Sequence, residues 1–316
     1  MVSQVSVIGA GQPANEAKGP ARKRRRVLVA PYIGFAPAIA IILLAYVVTL
    51  AWTVGLSFTD SKLFPTWNFI GLKQYQRLFS LELWRTALNN MVVFGVLMIG
   101  ITMAIGYWIA AALDQRIRGE GLLRTIFLYP YSMSFVVTGV AWGWLLNPEL
   151  GVQKAIQGLG LPWFRLDWIL HAETALLCVV AAAVWHATGL VTIIFLAGMR
   201  GVDPDLWKAA RIDNIPTWRM HLHVIIPMLG PSIASIIVLL SLGVVKLYDL
   251  VLVLTSGGPA MSTEVPAKVV MSFLFERNNI GVASAGATVM LALVLGIIAV
   301  IRIVRVTQGW RTRRQG

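Results

Sequence analysis

The sequence predicts an all-α membrane protein that crosses the bilayer six times, and three observations carry that expectation. Of its 316 residues 57% are hydrophobic and only 13% charged, with a mean hydropathy of +0.74. That is more apolar sequence than a soluble domain of this size is able to bury. Six stretches, 31–57, 88–113, 125–147, 174–198, 228–254 and 281–304, reach or exceed the ~20 residues a bilayer requires. The basic residues are placed asymmetrically: with the N-terminus in the cytosol, eighteen Lys and Arg fall on that side and eight on the other. The one remaining, Lys246, lies well inside a span. This bias predicts an inner-membrane, multi-pass protein with both termini cytosolic.

Taken in order, residues 1–30 read as a disordered cytosolic tail ending in the basic run Arg22–Arg26, a membrane-side anchor. The apolar stretch that follows, Pro31 to Ser57, is too long for the core of a cleavable signal peptide and reads as the first transmembrane helix, 31–57. Residues 85–305 form the remaining core, and 306–316 a second basic cytosolic tail. The outer segments 58–87 and 148–173 carry Trp67, Tyr75, Trp84, Trp163 and Trp168, aromatics suited to the headgroup zone. Glu149, Glu173 and Glu264 lie outside and read as solvated loop charges. The net charge of +13 clusters beside the spans, so it points to the bilayer and away from nucleic acid. The single cysteine, Cys178, excludes an internal disulfide and a cysteine metal site. No Gly-x4-Gly-Lys-Ser/Thr phosphate loop, nucleophile–base pair or metal-ligand spacing is readable. The chain is therefore expected not to be an enzyme and to carry no cofactor.

Between the fourth and fifth spans lies a polar cytosolic loop, 200–227, that opens with helix-start chemistry. Asp203 caps exposed backbone N–H groups, Pro204 suits the first helical position, and Asp205 favours the positive end of the helix dipole. Leu206, Ala209 and Ala210 share one face at i, i+3, i+4 spacing, while Lys208 and Arg211 point elsewhere. Asn214 suits a left-handed turn ending, and Pro216 the start of a second short helix. From these residues alone, the loop is either an amphipathic helix on the bilayer surface or a docking element for another protein.

The stretch resembles the EAA loop of ABC importer permeases: Glu-Ala-Ala, a Gly after three more residues, nine residues, then Ile-x-Leu-Pro. Here it reads Lys208-Ala209-Ala210, Asn214, and Val224-Ile225-Ile226-Pro227. Lys208 replaces the usual Glu, and Asn214 replaces the Gly. The resemblance implies a type I ABC importer (EAA-loop) permease fold whose coupling loop, Asp205, Leu206, Trp207, Lys208, Ala209, Ala210, Arg211, Asp213, Asn214 and Pro227, seats in an ATPase subunit. Leu252–Pro259, Ser262-Thr263, Gly281–Ala285, Tyr129-Pro130, Trp142-Gly-Trp144 and Asn147-Pro148 are similar to carbohydrate-type permeases, over roughly residues 30–305. The likeness is nearest to the first permease of sugar importers, the larger-maltose-permease kind, and within these to glucose/mannose types. It implies a second permease subunit, two ATPase subunits that carry ATP and Mg, and a periplasmic sugar-binding protein. Alternatives in the same family are oligosaccharide or glycerol-phosphate permeases; outside it, an ion-coupled secondary transporter remains.

Polar side chains inside spans mark a pathway or a helix contact. His186, with Trp185 and Thr188, is placed either to stack and hydrogen-bond a sugar or to satisfy a neighbouring helix. Asn89 and Asn90 favour interhelical hydrogen bonding, and Ser241 lies mid-span, bonding its own backbone or lining a path. Lys246, Tyr248 and Asp249 are the densest polar group. Lys246 and Asp249, three apart on a continuous helix, share a face and are able to pair. At ~1.5 Å per residue Lys246 is about 27 Å from Met228, near the outer interface, where snorkelling competes with pathway lining.

Overall fold

The computed structural model describes residues 29–115 and 119–313, with side chains from 34 to 115 and 119 to 303. The expected disordered tail therefore lies almost wholly outside the described residues. The chain divides into two compact units, Met1–Thr49 and Leu50–Gly316. In the first, the helix Val29–Leu43 runs into a π turn at Leu44–Val48, where the Thr49 hydroxyl donates to the Ala45 carbonyl. The first span, α1 (Gly34–Leu56), has only 6% of its most apolar window buried.

Among the described residues, four helices are long and apolar enough to cross a membrane: α1, α3 (Glu82–Asp114), α7 (Ala175–Arg200) and the last, whose span is Ile280–Ile303. Two bent helix pairs pass the same test only together, and counting each pair as one crossing makes six; neither 125–147 nor 228–254 is a single continuous helix. The third span comprises α4 (Glu120–Ser132) and α5 (Phe135–Leu145), bent by 100°. Pro130 lies in the last turn of α4, and the Ser134 hydroxyl accepts the Val137 N–H at 3.3 Å to start α5. The proline withholds a helical hydrogen bond and the serine cap supplies a new beginning. The fifth span comprises α9 (Thr217–Met228) and α10 (Gly230–Val245), bent by 70° where Pro227 and Pro231 flank the break. Beyond it the helix stops at Val245, and α11 (Asp249–Leu254) starts afresh after Tyr248 leaves helical geometry at φ −129°.

The short helices are α2 (Lys73–Ser80), α6 (Val152–Gly158) and α12 (Pro266–Met271); α8 (Pro204–Ile212) lies between α7 and α9, and α13 is Ile280–Arg313. The end expected as a basic tail at 306–316 is helical as far as Arg313.

The core centres on α7, two-thirds of whose most apolar window is buried. Small residues on that helix, Ala182, Ala183, Ala187 and Gly189, let neighbours approach closely, which is how helices associate where lipid removes the hydrophobic drive. At Gly106 an added Cβ would lie 2.7 Å from Val191 of α7. At Gly189 it would strike the Phe127 carbonyl of α4 and come within 3.0 Å of the Leu128 Cα. α7 thus holds α3 on one side and the bent third span on another. The segment between α1 and α2 is tied to the start of α13, where the Gly281 N–H donates to the Ser61 carbonyl at 2.8 Å.

Candidate functional site

The segment between α7 and α10 is built by local rules. The Asp203 carboxylate accepts the Asp205 N–H at 2.9 Å, and Pro204 occupies the first turn of α8. At the other end Asn214 takes φ +51°. The Ile215 N–H donates to the Ala210 carbonyl at 2.9 Å and the Asn214 N–H to the Arg211 carbonyl at 3.3 Å, closing a Schellman motif. Pro216 then precedes α9. The two halves form a compact helical elbow in place of an open loop.

The faces of α8 differ from the expectation. Ala210 is buried and Trp207 half-buried against the bundle, whereas Leu206 and Ala209 point outward. With Ile212, 80% exposed, they make an apolar stripe at i, i+3, i+6, extended by exposed Ile215 and Trp218. Asp205 and Lys208, ion-paired at 2.8 Å, and exposed Arg211 and Asp213 rim it. An apolar patch with a charged rim is the pattern of a protein-docking surface. Pro227 lies in α9 at the bend.

Two groups of residues that sequence reasoning missed hold this elbow to the bundle. At its root, Arg200 ends α7 and reaches Glu120 of α4 at 2.7 Å and Asp114 of α3 at 3.8 Å; Arg124 joins Glu120 at 2.6 Å. Three helix ends meet there, and the cation neutralises an aspartate set at the unfavourable C-terminal end of α3. Beneath the elbow, the Tyr107 hydroxyl and His221 Nδ1 are hydrogen-bonded at 2.7 Å, with the Trp207 ring 5.5 Å from the imidazole. Residues 107 and 221 are 114 apart in sequence, and no spacing pattern joins them.

The candidate pathway residues do not converge on one site. His186 is 4% exposed, stacks on Phe135 at 4.3 Å and lies 3.2 Å from the Thr138 hydroxyl through Nδ1. It therefore joins α7 to α5, the helix-contact alternative. Thr188 donates to the Val184 carbonyl of its own helix at 2.6 Å. Trp185 faces an apolar cleft of about 620 Å³ with Trp142, whose ring is 6.2 Å away. Ser241 is buried on α10. Lys246 and Asp249 do not share a helical face, because α10 ends before one and α11 begins at the other. Both are exposed at that break, with Tyr248 half-buried between them.

Asn90 holds the loop before α12, its Nδ2 donating to the Glu264 carbonyl at 3.0 Å and the Met261 carbonyl at 3.2 Å. Glu264, expected as a solvated charge, is 8% exposed and paired with Lys268 at 2.5 Å. Replacing Asn90 by leucine leaves two carbonyls of this loop without their donor, a loss of about 1–3 kcal/mol. Asn90→Leu is expected to lower the thermal midpoint in detergent and speed proteolysis between 255 and 265.

A bundle of long apolar helices, two of its helix pairs sharply bent, with a helical elbow exposed between α7 and α10, defines a multi-pass membrane protein of the permease class. Residues 118–315 match the family described as binding-protein-dependent transport system inner membrane component, and the chain belongs to that family. A probable ABC transporter permease of Pyrococcus horikoshii is 32% identical over 264 residues, 83% of this chain and 90% of that one. The xylose/arabinose import permease of Haloferax volcanii is 29% identical over 272 residues, 85% of each chain. One chain in the crystal structure of a bacterial ABC transporter involved in import of the acidic polysaccharide alginate shares the fold. Its TM-score is 0.73 at 19% identity, covering 86% of this chain and 95% of that one.

Proposed function

We propose that this chain is one membrane-spanning half of an ATP-driven sugar importer, passing substrate from a periplasmic binding protein to the cytosol. The observation that carries the reading is the elbow: an apolar stripe of Leu206, Ala209 and Ile212 offered outward between two spans. The excess of Lys and Arg on the side of this loop supports a cytosolic position, within reach of an ATPase. Two ATPase subunits bind ATP and Mg and hydrolyse the nucleotide, and a second permease completes the pathway. Closure of the ATPases on ATP moves the elbow, and α7 and α10 on either side of it rock to expose the substrate site alternately.

The exposed pair Lys246 and Asp249, at a helix break flanked by Tyr248, supports a polar path on the face of this chain. Charges beside a lipid-facing span are expensive, so such residues turn toward water or a partner subunit. Hydroxyl-rich substrates suit that pair, and a monosaccharide such as glucose or mannose is the substrate put forward. The relatives named for xylose/arabinose and alginate support the wider class of sugars.

The test is uptake in vesicles with labelled glucose, mannose, xylose and maltose. Vanadate-sensitive uptake that survives a protonophore at constant ATP is the expected result. Uptake abolished by the protonophore would instead make the chain an ion-coupled carrier.

A further inference from the structure

We propose that the hydrogen bond between Tyr107 and His221, closed over by Trp207, is the joint through which movement of the elbow enters the membrane helices. Tyr107 and His221 are then positioning residues for transport. The inference rests on the docking role of α8 put forward above and assigns the internal side of that same element.

His221 stands where four elements meet. Its ring is 5.5 Å from Trp207 on α8 and 6.1 Å from Trp108 on α3. Its Nδ1 is 2.7 Å from the Tyr107 hydroxyl, and the Tyr107 ring is set edge-on to Phe195 of α7 at 5.5 Å. His221 also opens the π turn His221–Ile225 within α9, which leads through the 70° bend into α10. Local π geometry recurs where a helix adjusts at functional positions. One imidazole thus touches the elbow and the second span while beginning the fifth, and its hydrogen-bond partner touches the fourth.

Buried Val202, Ala210 and Met220 tie the edges of the elbow to the core. Around Trp207 the seat is open: clefts of about 530 and 510 Å³ flank it, both reaching Asp114 and the second lined by His221. Close-packed contacts transmit displacement, whereas open space absorbs it. Across this open seat, the Trp207–His221 ring contact at 5.5 Å and the 2.7 Å bond to Tyr107 are what join the middle of α8 to α9 and α3. Tyr107 is 6% exposed, so its hydroxyl has little access to water to replace the bond. The ionic knot at Arg200 differs in kind: its groups are partly exposed, and it fixes the root of the elbow without touching its middle.

The experiment uses the whole complex, purified through this chain and reconstituted in liposomes. It measures sugar taken up per ATP hydrolysed, with whichever of labelled glucose, mannose, xylose and maltose the wild-type complex imports. Tyr107→Phe and His221→Ala are each expected to lower that ratio about fivefold, the order a single net hydrogen bond controls. The amount of ATPase recovered and its rate of hydrolysis are retained. The double variant is no worse than either single one, and His221→Gln, which keeps a hydrogen-bonding group, recovers part of the ratio. A wild-type ratio in both single variants overturns the joint. So does a fall in uptake and hydrolysis in equal proportion with a lowered thermal midpoint, which marks a purely structural contact. Absence of ATPase from the wild-type preparation overturns the docking role itself, and the joint with it.

Discussion

Ala209→Arg is expected to strip the ATPase subunits from the purified complex while leaving membrane insertion of the permease unchanged. Ala209 sits in the middle of the outward stripe on α8, between Leu206 and Ile212, each three residues away. A methyl group there lets a partner surface close to van der Waals contact; a guanidinium forces a charge into that contact without a built partner. Burying an unpaired charge costs several kcal/mol. At 1.4 kcal/mol per tenfold, docking weakens by on the order of a hundredfold or more. Ile212→Asp should act in the same sense. Asp213→Asn, on the polar rim, should change recovery little, since rim charges contribute little to affinity. The readout is the ratio of ATPase to permease after affinity purification, with membrane yield as the control. Unchanged ratios in Ala209→Arg and Ile212→Asp would remove the docking face from the account.

The largest effect on stability is expected at Gly189. Its missing side chain is what allows α7 to lie against the backbone of α4, since a Cβ would collide with the Phe127 carbonyl and stand 2.6 Å from its carbon. The obstacle is main chain rather than a flexible tip, so the helices must separate. Overpacking of a tight core already costs about 1–3 kcal/mol where side chains are able to give. Gly189→Leu should therefore reach the upper end of that range or beyond and reduce folded protein in the membrane sharply; Gly189→Ala should do so in part. The same separation would disturb His186, three residues away on α7, which stacks on Phe135 just past the bend of the third span. Fluorescence-detected size exclusion across a temperature ramp measures this. A wild-type profile for Gly189→Leu would contradict the close crossing.

The parts of this molecule that were readable in the sequence are those written in neighbouring residues. Asp203, Pro204 and Asn214 set the start and stop of α8 through hydrogen bonds within a few positions, and the structure places each in the expected role. Asn214 does what glycine does elsewhere in this motif, because its short polar side chain tolerates the left-handed turn. The six apolar stretches were likewise visible, since bilayer thickness sets their length. Their bends were not: Pro130 and Pro227 were in view, but a hydropathy window is blind to direction, and the 100° and 70° turns depend on what caps the next helix.

The faces of helices were harder still. Leu206, Ala209 and Ala210 looked like one surface on a periodicity argument, yet Ala210 turns to the bundle and the other two to the outside. Which side of a short helix is buried is decided by partners far away in sequence. The same holds for His186, whose polarity left a substrate contact and a helix contact equally open in the sequence; Thr138 and Phe135, 48 and 51 residues earlier, lie against it. It holds as well for Lys246 and Asp249, whose expected pairing assumed a helix that ends between them.

Cross-linking from the tip of the elbow tests the central claim most directly. Cys178, the single cysteine, is buried in the core, so Ile212→Cys provides the one readily accessible thiol. A short bifunctional thiol-to-amine reagent added to inside-out vesicles should join position 212 to a nucleotide-binding subunit, in an amount that changes when ATP and vanadate are present. No adduct with such a subunit, together with labelling of position 212 by an impermeant maleimide in right-side-out vesicles, would contradict the account.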